Sequence, residues 1–285
     1  MSFFLNQVII GIQLGSQYVM VALGLTLIFG ILDISHFAHG HLYMLGAYFL
    51  YILMTIAHIN YWLALPICMV ALALGGVIVE RLVYRPLRDQ PHINTFIAAI
   101  GLFLFLETMV RAVKPRALSV SKPIDKTFSF AGITIEAQRL IVIAGAVFLV
   151  VLLHLFIKRT RMGTAIEAVA QDREGASLVG INVNRISMLT FAIATALAAA
   201  AAVLMAPLAF ISPEMGSVLI LKAFVIVVLG GLGSMQGAIV GGYLLGILEA
   251  LAIAYVSSAY KDVFAFAVLI LILAFRPTGL FKGRE

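Results

Sequence analysis

The sequence predicts an all-α protein, a polytopic bundle of transmembrane helices, and three observations lead there. Of its 285 residues, 63% are hydrophobic and 11% are charged, against about 25% charged residues in an average soluble domain. Apolar runs recur along the chain at about 20 residues, the length one helix needs to cross a hydrocarbon core about 30 Å thick. The runs are continuous, without the alternation of an outer-membrane barrel, so helices are the remaining way to satisfy the backbone in lipid.

Taken in order, the apolar segments are Val8 to Leu32, Leu42 to Ile59, Tyr61 to Val79, Ile93 to Val113, Leu140 to Ile157, Ile186 to Ala206, Val218 to Leu232, Gly237 to Val256 and Tyr260 to Phe275. They predict eight or nine crossings, some broken, in a single transmembrane domain over 1–285. The start, MSFFLNQVIIGIQLG, lacks the basic n-region of a cleaved signal and reads as a retained helix. After the first segment, ILDISHFAHGHLYMLG places Asp33, Ser35, His36, His39 and His41 between two apolar runs. That break is either a tight surface turn or a helix unwound at depth where it lines a cavity. The loop 114–138 is coil followed by a small hairpin, with Phe128, Phe130, Ile133 and Ile135 alternating about Ala131-Gly132; it serves as a docking surface for an external partner or as a connector. Pro207 and Pro213 mark a second loop at the same end.

Small residues supply the close-packing signature: Gly11 and Gly15, Gly233, Gly237 and Gly241, Gly242 and Gly246, and the run Ala198 to Ala202. They either pack helices or line a pathway. Basic residues in short loops set orientation. The clusters Arg81, Arg85, Arg88, then Lys158, Arg159, Arg161, then Arg276, Lys282, Arg284 fall on one side by the count of crossings, the cytoplasmic one. The loop 114–138, with Lys114, Arg116, Lys122 and Lys126 offset by Asp125 and Glu136, is then periplasmic, and nine crossings put the N-terminus outside. The net charge of +6 sits mainly in loops and sets topology; no basic and aromatic interleaving points to nucleic acid.

Enzyme chemistry has no foothold. There is no H-E-x-x-H, G-x-S-x-G or P-loop motif, so the chain binds no ATP by a P-loop and carries no catalytic residue. The lone Cys68 reads as a small buried hydrophobe. His36, His39 and His41 are imidazoles at a helix break, but a structural zinc site wants four ligands at defined spacing, so they read as polar lining or caps and no metal or cofactor is expected. Intramembrane charges are Asp33, Glu107 with Arg111, Lys222 and Glu249. Glu107 and Arg111 stand i, i+4 and neutralise each other; the others are scattered, too few for a proton relay.

Charge instead collects in Arg159 to Arg185, RTRMGTAIEAVAQDREGASLVGINVNR. One or two short helices fit, with Ile166, Val169 and Ala170 on one stripe and Glu167, Gln171, Asp172 and Glu174 around the remaining face, with Arg173 against the acids. Surface helices that lie on lipid favour Lys and Arg on their polar face, whereas this face is mostly acidic, which favours a protein partner.

At these residues the chain resembles a family. Glu174, Gly175, Ala176 and Gly180 match the E-A-A-x-x-x-G start of the loop by which ABC importer permeases engage their ATPases, with Gly175 in place of the first Ala. AVAQDREGASLVGINVNR, FAHG at Phe37 to Gly40, YMLGAY at Tyr43 to Tyr48 and VLGGLGSMQGAIVGG at Val228 to Gly242 are similar to the branched-chain amino-acid permeases, LivH-type subunit. Two departures stand out: Thr190 to Ile193 replace the I-x-L-P ending of the importer motif, and His36 and His41 flank FAHG where relatives carry Asn and Glu.

The resemblance implies a permease that works with a second permease subunit, two soluble ABC ATPases and a periplasmic binding protein in the bacterial inner membrane. Its solute would be a branched-chain amino acid; relatives also carry urea or short amides, and an ATP-independent channel or carrier is the competing class. Residues Glu167, Asp172, Arg173, Glu174, Gly175, Ala176 and Gly180 would couple to the ATPases. His36, Phe37, His39, Gly40, Gly231, Gly233 and Gly237 are expected to lie along the pathway.

Overall fold

The computed structural model describes residues 2–32, 36–130, 133–276 and 279–281. Asp33, Ser35, Lys282, Arg284 and the Ala131-Gly132 tip therefore lie outside the described residues. The helices are α1 (Ser2–Leu32), α2 (His39–Tyr51), α3 (Tyr61–Val79), α4 (His92–Val113), α5 (Ala137–Arg159), α6 (Arg161–Gln171), α7 (Arg173–Leu178), α8 (Val183–Met205), α9 (Met215–Gly230), α10 (Met235–Tyr255) and α11 (Lys261–Phe275). A two-stranded antiparallel hairpin, β1 (Thr127–Phe130) and β2 (Ile133–Glu136), pairs Thr127 with Glu136 and Phe130 with Ile133.

Among the described residues, six helices are long and apolar enough to span a membrane: α1, α3 with its continuation to Leu87, α4, α5, α8 with its continuation to Leu208, and α10. The expected eight or nine crossings are not matched by that measure. The other three segments fall on helices that are shorter, α9 and α11, or opened by two histidines, α2.

Helix α1 is the axis. It is apolar around its whole circumference, the pattern of a buried helix, and its apolar stretch is 83% buried. Its partner α10 comes close because both helices lack Cβ atoms where they meet. A Cβ on Gly15 would lie 2.9 Å from Tyr243 Cα, and one on Gly246 would lie 2.6 Å from the Gly11 carbonyl oxygen. In lipid, where apolar surface gains nothing from leaving water, such backbone proximity is a main source of helix attraction. The alanine run performs the same service for α8: Ala198 to Ala202 are fully buried, and Ala199 Cα lies 3.0 Å from where a Gly46 Cβ would stand on α2. By contrast α4 exposes Ile93, Ile97, Leu104 and Phe105, as expected of a helix on the outer face of a membrane bundle.

Asn60 caps α3 through the Trp62 amide at 2.9 Å. The end of α3 widens into a π-turn at Glu80–Tyr84 and tightens into a 3-10 turn at Arg85–Leu87. Between α9 and α10, Gly231 (φ +100°) and Gly233 (φ +79°) take left-handed conformations that side chains resist, which reverses the chain so that Gly237 packs on Gly230. The terminal carbonyls of α9 are then satisfied from far downstream: Leu280 N donates to Leu229 O at 2.8 Å and Phe281 N to Gly230 O at 3.2 Å.

The bundle has two distinct ends. At one end, the hairpin lies beside the start of α1, where Phe3 and Gln7 share a cavity with Thr134 and Glu136, and Leu118 pairs with Ile211 as a bridge. At the other, Arg88 and Lys158 meet the α6–α8 segment, Arg88 through Asn184 and Lys158 through Glu167.

Candidate coupling surface and buried polar clusters

The amphipathic stripe read from the sequence is the inner face of α6. Ile166 and Val169 are buried, and with Ala176 and Ile186 they pack beneath Ile31 at the foot of α1. Each turn in this segment is closed by a side chain. Thr160 accepts from Gly163 N at 3.0 Å, Asp172 from Gly175 N at 3.0 Å and Asn182 from Arg185 N at 3.1 Å, which are N-caps for α6, α7 and α8. Gly180, at φ +87°, ends α7 in the left-handed region. The glycine at 175 has a local cause: a Cβ there would press into the Asp172 carboxylate that caps the helix.

The predicted charges take different roles. Glu167 pairs with Lys158 at 2.6 Å, Arg173 approaches Asp89 at 3.8 Å, Asp172 is spent on its cap, and Glu174 is exposed. What charge counting missed is apolar: Leu178 and Val179 are 87% and 77% exposed at the tip of α7, far more than the buried stripe behind them. The signal was present as LVG directly after the acidic turn, without a place on the inner stripe.

A buried tether joins this surface to the helix break. Arg88 donates to Glu80 Oε1 and to Asn184 Oδ1, both at 2.6 Å; Glu80 is fully buried. Burial pushes the Arg88 guanidinium down from its usual value, with the Glu80 carboxylate opposing. One turn on, Tyr84 meets His36 Nδ1 at 2.5 Å. His36, His39 and His41 are fully buried, so the described part of the break lies inside protein. The histidines diverge: His36 packs on Tyr84 and Phe191, the His39 ring fills the notch left by Gly24, and His41 turns to Glu107 at 3.2 Å. Among the described residues no group of three or more His, Cys, Asp or Glu side chains is placed to hold a metal ion.

The two stretches assigned to the pathway lie apart. Phe37 stacks on Phe224 and meets Phe96 edge to face, and Gly40 admits the Gly216 backbone of α9. Gly233, in contrast, lines a cavity of about 250 Å³ at the α6–α7 end, together with Thr26, Gly30, His154 and Glu167. Gly231 shapes the adjoining turn.

Two intramembrane charges taken as scattered are in fact paired. Lys222 Nζ lies 2.5 Å from Glu249 Oε1, 3.2 Å from Asp262 Oδ1 and 3.2 Å from the Tyr18 hydroxyl, and Tyr18 donates to Glu249 Oε2 at 2.6 Å. The contact of Gly230 with Gly237 and of Ile226 with Gly241 fixes the antiparallel register of α9 and α10. It sets Lys222 opposite Leu245, one helical turn from Glu249, within reach of a lysine stem. The Glu107–Arg111 pair forms as expected at 2.6 Å, and Arg111 also meets Glu214 at 3.1 Å while Ser217 donates to Glu107 at 2.7 Å.

A family model described as the permease component of branched-chain amino acid transport systems matches residues 7–273. The permease protein BraD of the high-affinity branched-chain amino acid transport system of Pseudomonas aeruginosa is 38% identical, over 99% of this chain and 97% of its own length. LivH of Escherichia coli K12 is likewise 38% identical over 99% and 97%. LivM of the same organism, named as a permease protein of the same kind of system, is 27% identical over 92% of this chain and 67% of its own length. Among solved structures, PsaBC from Streptococcus pneumoniae in complex with Fab shares the fold, with a TM-score of 0.50 at 12% identity, over 95% of this chain and 91% of that one.

Proposed function

This chain belongs to the family of permease components of branched-chain amino acid transport systems, and we propose that it is the LivH-type subunit of an ATP-driven importer for leucine, isoleucine and valine. In this reading it pairs with a second permease subunit, receives solute from a periplasmic binding protein and is driven by two soluble ABC ATPases at the α6–α7 surface. The inner membrane is its site. Helices α2, α9 and α11 complete the crossings, and the start of α1, beside the hairpin, is periplasmic.

The observation that carries the proposal is the construction of α6 and α7. Three capped helix starts hold a short, stiff element whose inner face is packed and whose tip presents Leu178 and Val179 beside Glu174. A rigid, mixed apolar and charged knob suits insertion into a groove of a soluble partner. Closure of the ATPase pair would then push on α7, and the Arg88 tether, with α5 and α8 on either side, would pass that movement into the bundle.

The test is charge reversal at Arg173 and Glu174 in the complete transporter. The expected result is loss of ATPase co-purification and of branched-chain amino acid uptake with the permease still present in the membrane. Unchanged assembly and uptake would sink the proposal. Flux of solute by the chain reconstituted alone would favour the channel class instead.

A further inference from the structure

We propose that the Lys222–Glu249 pair is the substrate subsite of the permease, a place where the ammonium and carboxylate of a free amino acid are taken over from the protein's own ion pair. This rests on the importer reading above and names the site within it.

The pair does not stand in a sealed core. It lines a cavity of about 330 Å³ whose walls include Tyr18, Tyr43, Leu219 and Ile253, a size at the low end of small-molecule pockets, about 300–1,000 Å³. Phe210 and Met215 also border it, and these belong to the end of the bundle that carries the hairpin, since Ile211 bridges to Leu118. The cavity is therefore reached from the side on which a binding protein would deliver solute. Its chemistry has three parts: a buried ammonium, a buried carboxylate and an aliphatic wall. A zwitterionic amino acid with a branched side chain presents the complementary three.

Exchange is feasible because no group is orphaned by it. Lys222 has two carboxylate partners, Glu249 and the half-exposed Asp262. When a substrate carboxylate enters, Lys222 keeps Asp262 and gains the substrate, while Glu249 is released to the substrate ammonium and keeps the Tyr18 hydroxyl. Tyr18 is the hinge of this exchange, since it touches both members of the pair. Gln17 and Tyr43, bonded to each other at 2.8 Å, form the adjoining polar edge. A solute lacking either charge would break the pair without replacing both partners, and a buried charge without a partner is unfavourable. The subsite thus selects free amino acids over the corresponding amines and acids.

Two experiments test this on the complete transporter. Replacing both charges by apolar residues of similar length, Lys222→Met with Glu249→Leu, removes the pair without leaving one member buried alone. The expected outcome is an assembled complex that still hydrolyses ATP, with uptake of leucine reduced at least tenfold. Uptake within twofold of wild type would overturn the subsite, leaving the pair as a structural brace. The second uses the unaltered complex, so it stands if that variant does not assemble: a diazirine analogue of leucine is irradiated during turnover and the labelled peptides are mapped. Labelling of the peptides that hold Tyr18, Tyr43, Leu219 or Ile253, competed by leucine, supports the site; labelling confined to peptides that line none of this cavity overturns it. If the wild-type complex imports no branched-chain amino acid at all, the importer reading fails, a result distinct from either of these.

Discussion

The α1–α10 seam and the α6–α7 surface are both short of large side chains at their critical points, for opposite reasons. In the seam, Gly11, Gly15, Gly242 and Gly246 are small because another helix backbone occupies the space. On the α6–α7 surface, Gly175 is small because its own cap needs the room and Gly180 because of its backbone angle. One region is therefore defined by what it touches, the other by how it is held while its outer face stays open. Changes in the seam should act on folding, and changes on the open surface should act on coupling.

Arg88 sharpens the comparison first, because it sits at the α6–α7 end but is buried like the seam. Arg88→Ala leaves the Glu80 carboxylate without its partner, and losses of that kind are about 3–5 kcal/mol. Thermal unfolding of the purified complex should fall by the largest margin of any variant considered, and an unchanged midpoint would place the tether on the open side of the comparison. Gly246→Leu comes next. Overpacking costs about 1–3 kcal/mol or more, and with the Gly11 carbonyl in the way the variant should accumulate poorly in membranes, as read by immunoblot. Asp172→Ala removes one N-cap, worth about 1 kcal/mol; a small loss of thermal stability should accompany a larger loss of ATPase-driven uptake, and Asp172→Asn should restore both. Leu178→Ser with Val179→Ser is smallest in stability, within about 0.5 kcal/mol as for other exposed sites. It should still release the ATPase on gel filtration; retained ATPase would break the distinction between the two regions.

Much of the fold was legible in the sequence because burial in lipid leaves a coarse mark: an apolar run of the right length. The inner stripe of α6 and the pair Glu107–Arg111 were equally legible, since both follow from helical spacing alone. The crossing count was less so. Helices α9 and α11 fall short of full span length, and at α2 His39 and His41 enter the helix itself, buried inside the bundle where His41 finds Glu107 as a polar partner. At the candidate sites, local signals survived and long-range ones did not. Asp172, Gly175 and Gly180 form one short cap-to-cap unit that a motif can show. Lys222 and Glu249 come together only when the register of α9 against α10 is known, and that register is set by glycine contacts which leave no distinct mark of their own. Leu178 and Val179 were passed over because an apolar pair in an oily chain draws no notice until its surroundings are found to be polar and open.

The downstream residues that complete α9 impose an order on synthesis. The carbonyls of Leu229 and Gly230 take their hydrogen bonds from Leu280 and Phe281, so as the chain leaves the ribosome this end of α9 lacks those two donors until α10 and α11 have been made. The turn itself is closed by local bonds, Gly231 N to Val228 O and Ser234 N to Gly231 O, so a nascent chain halted before residue 280 would keep the turn and leave those two carbonyls to other donors.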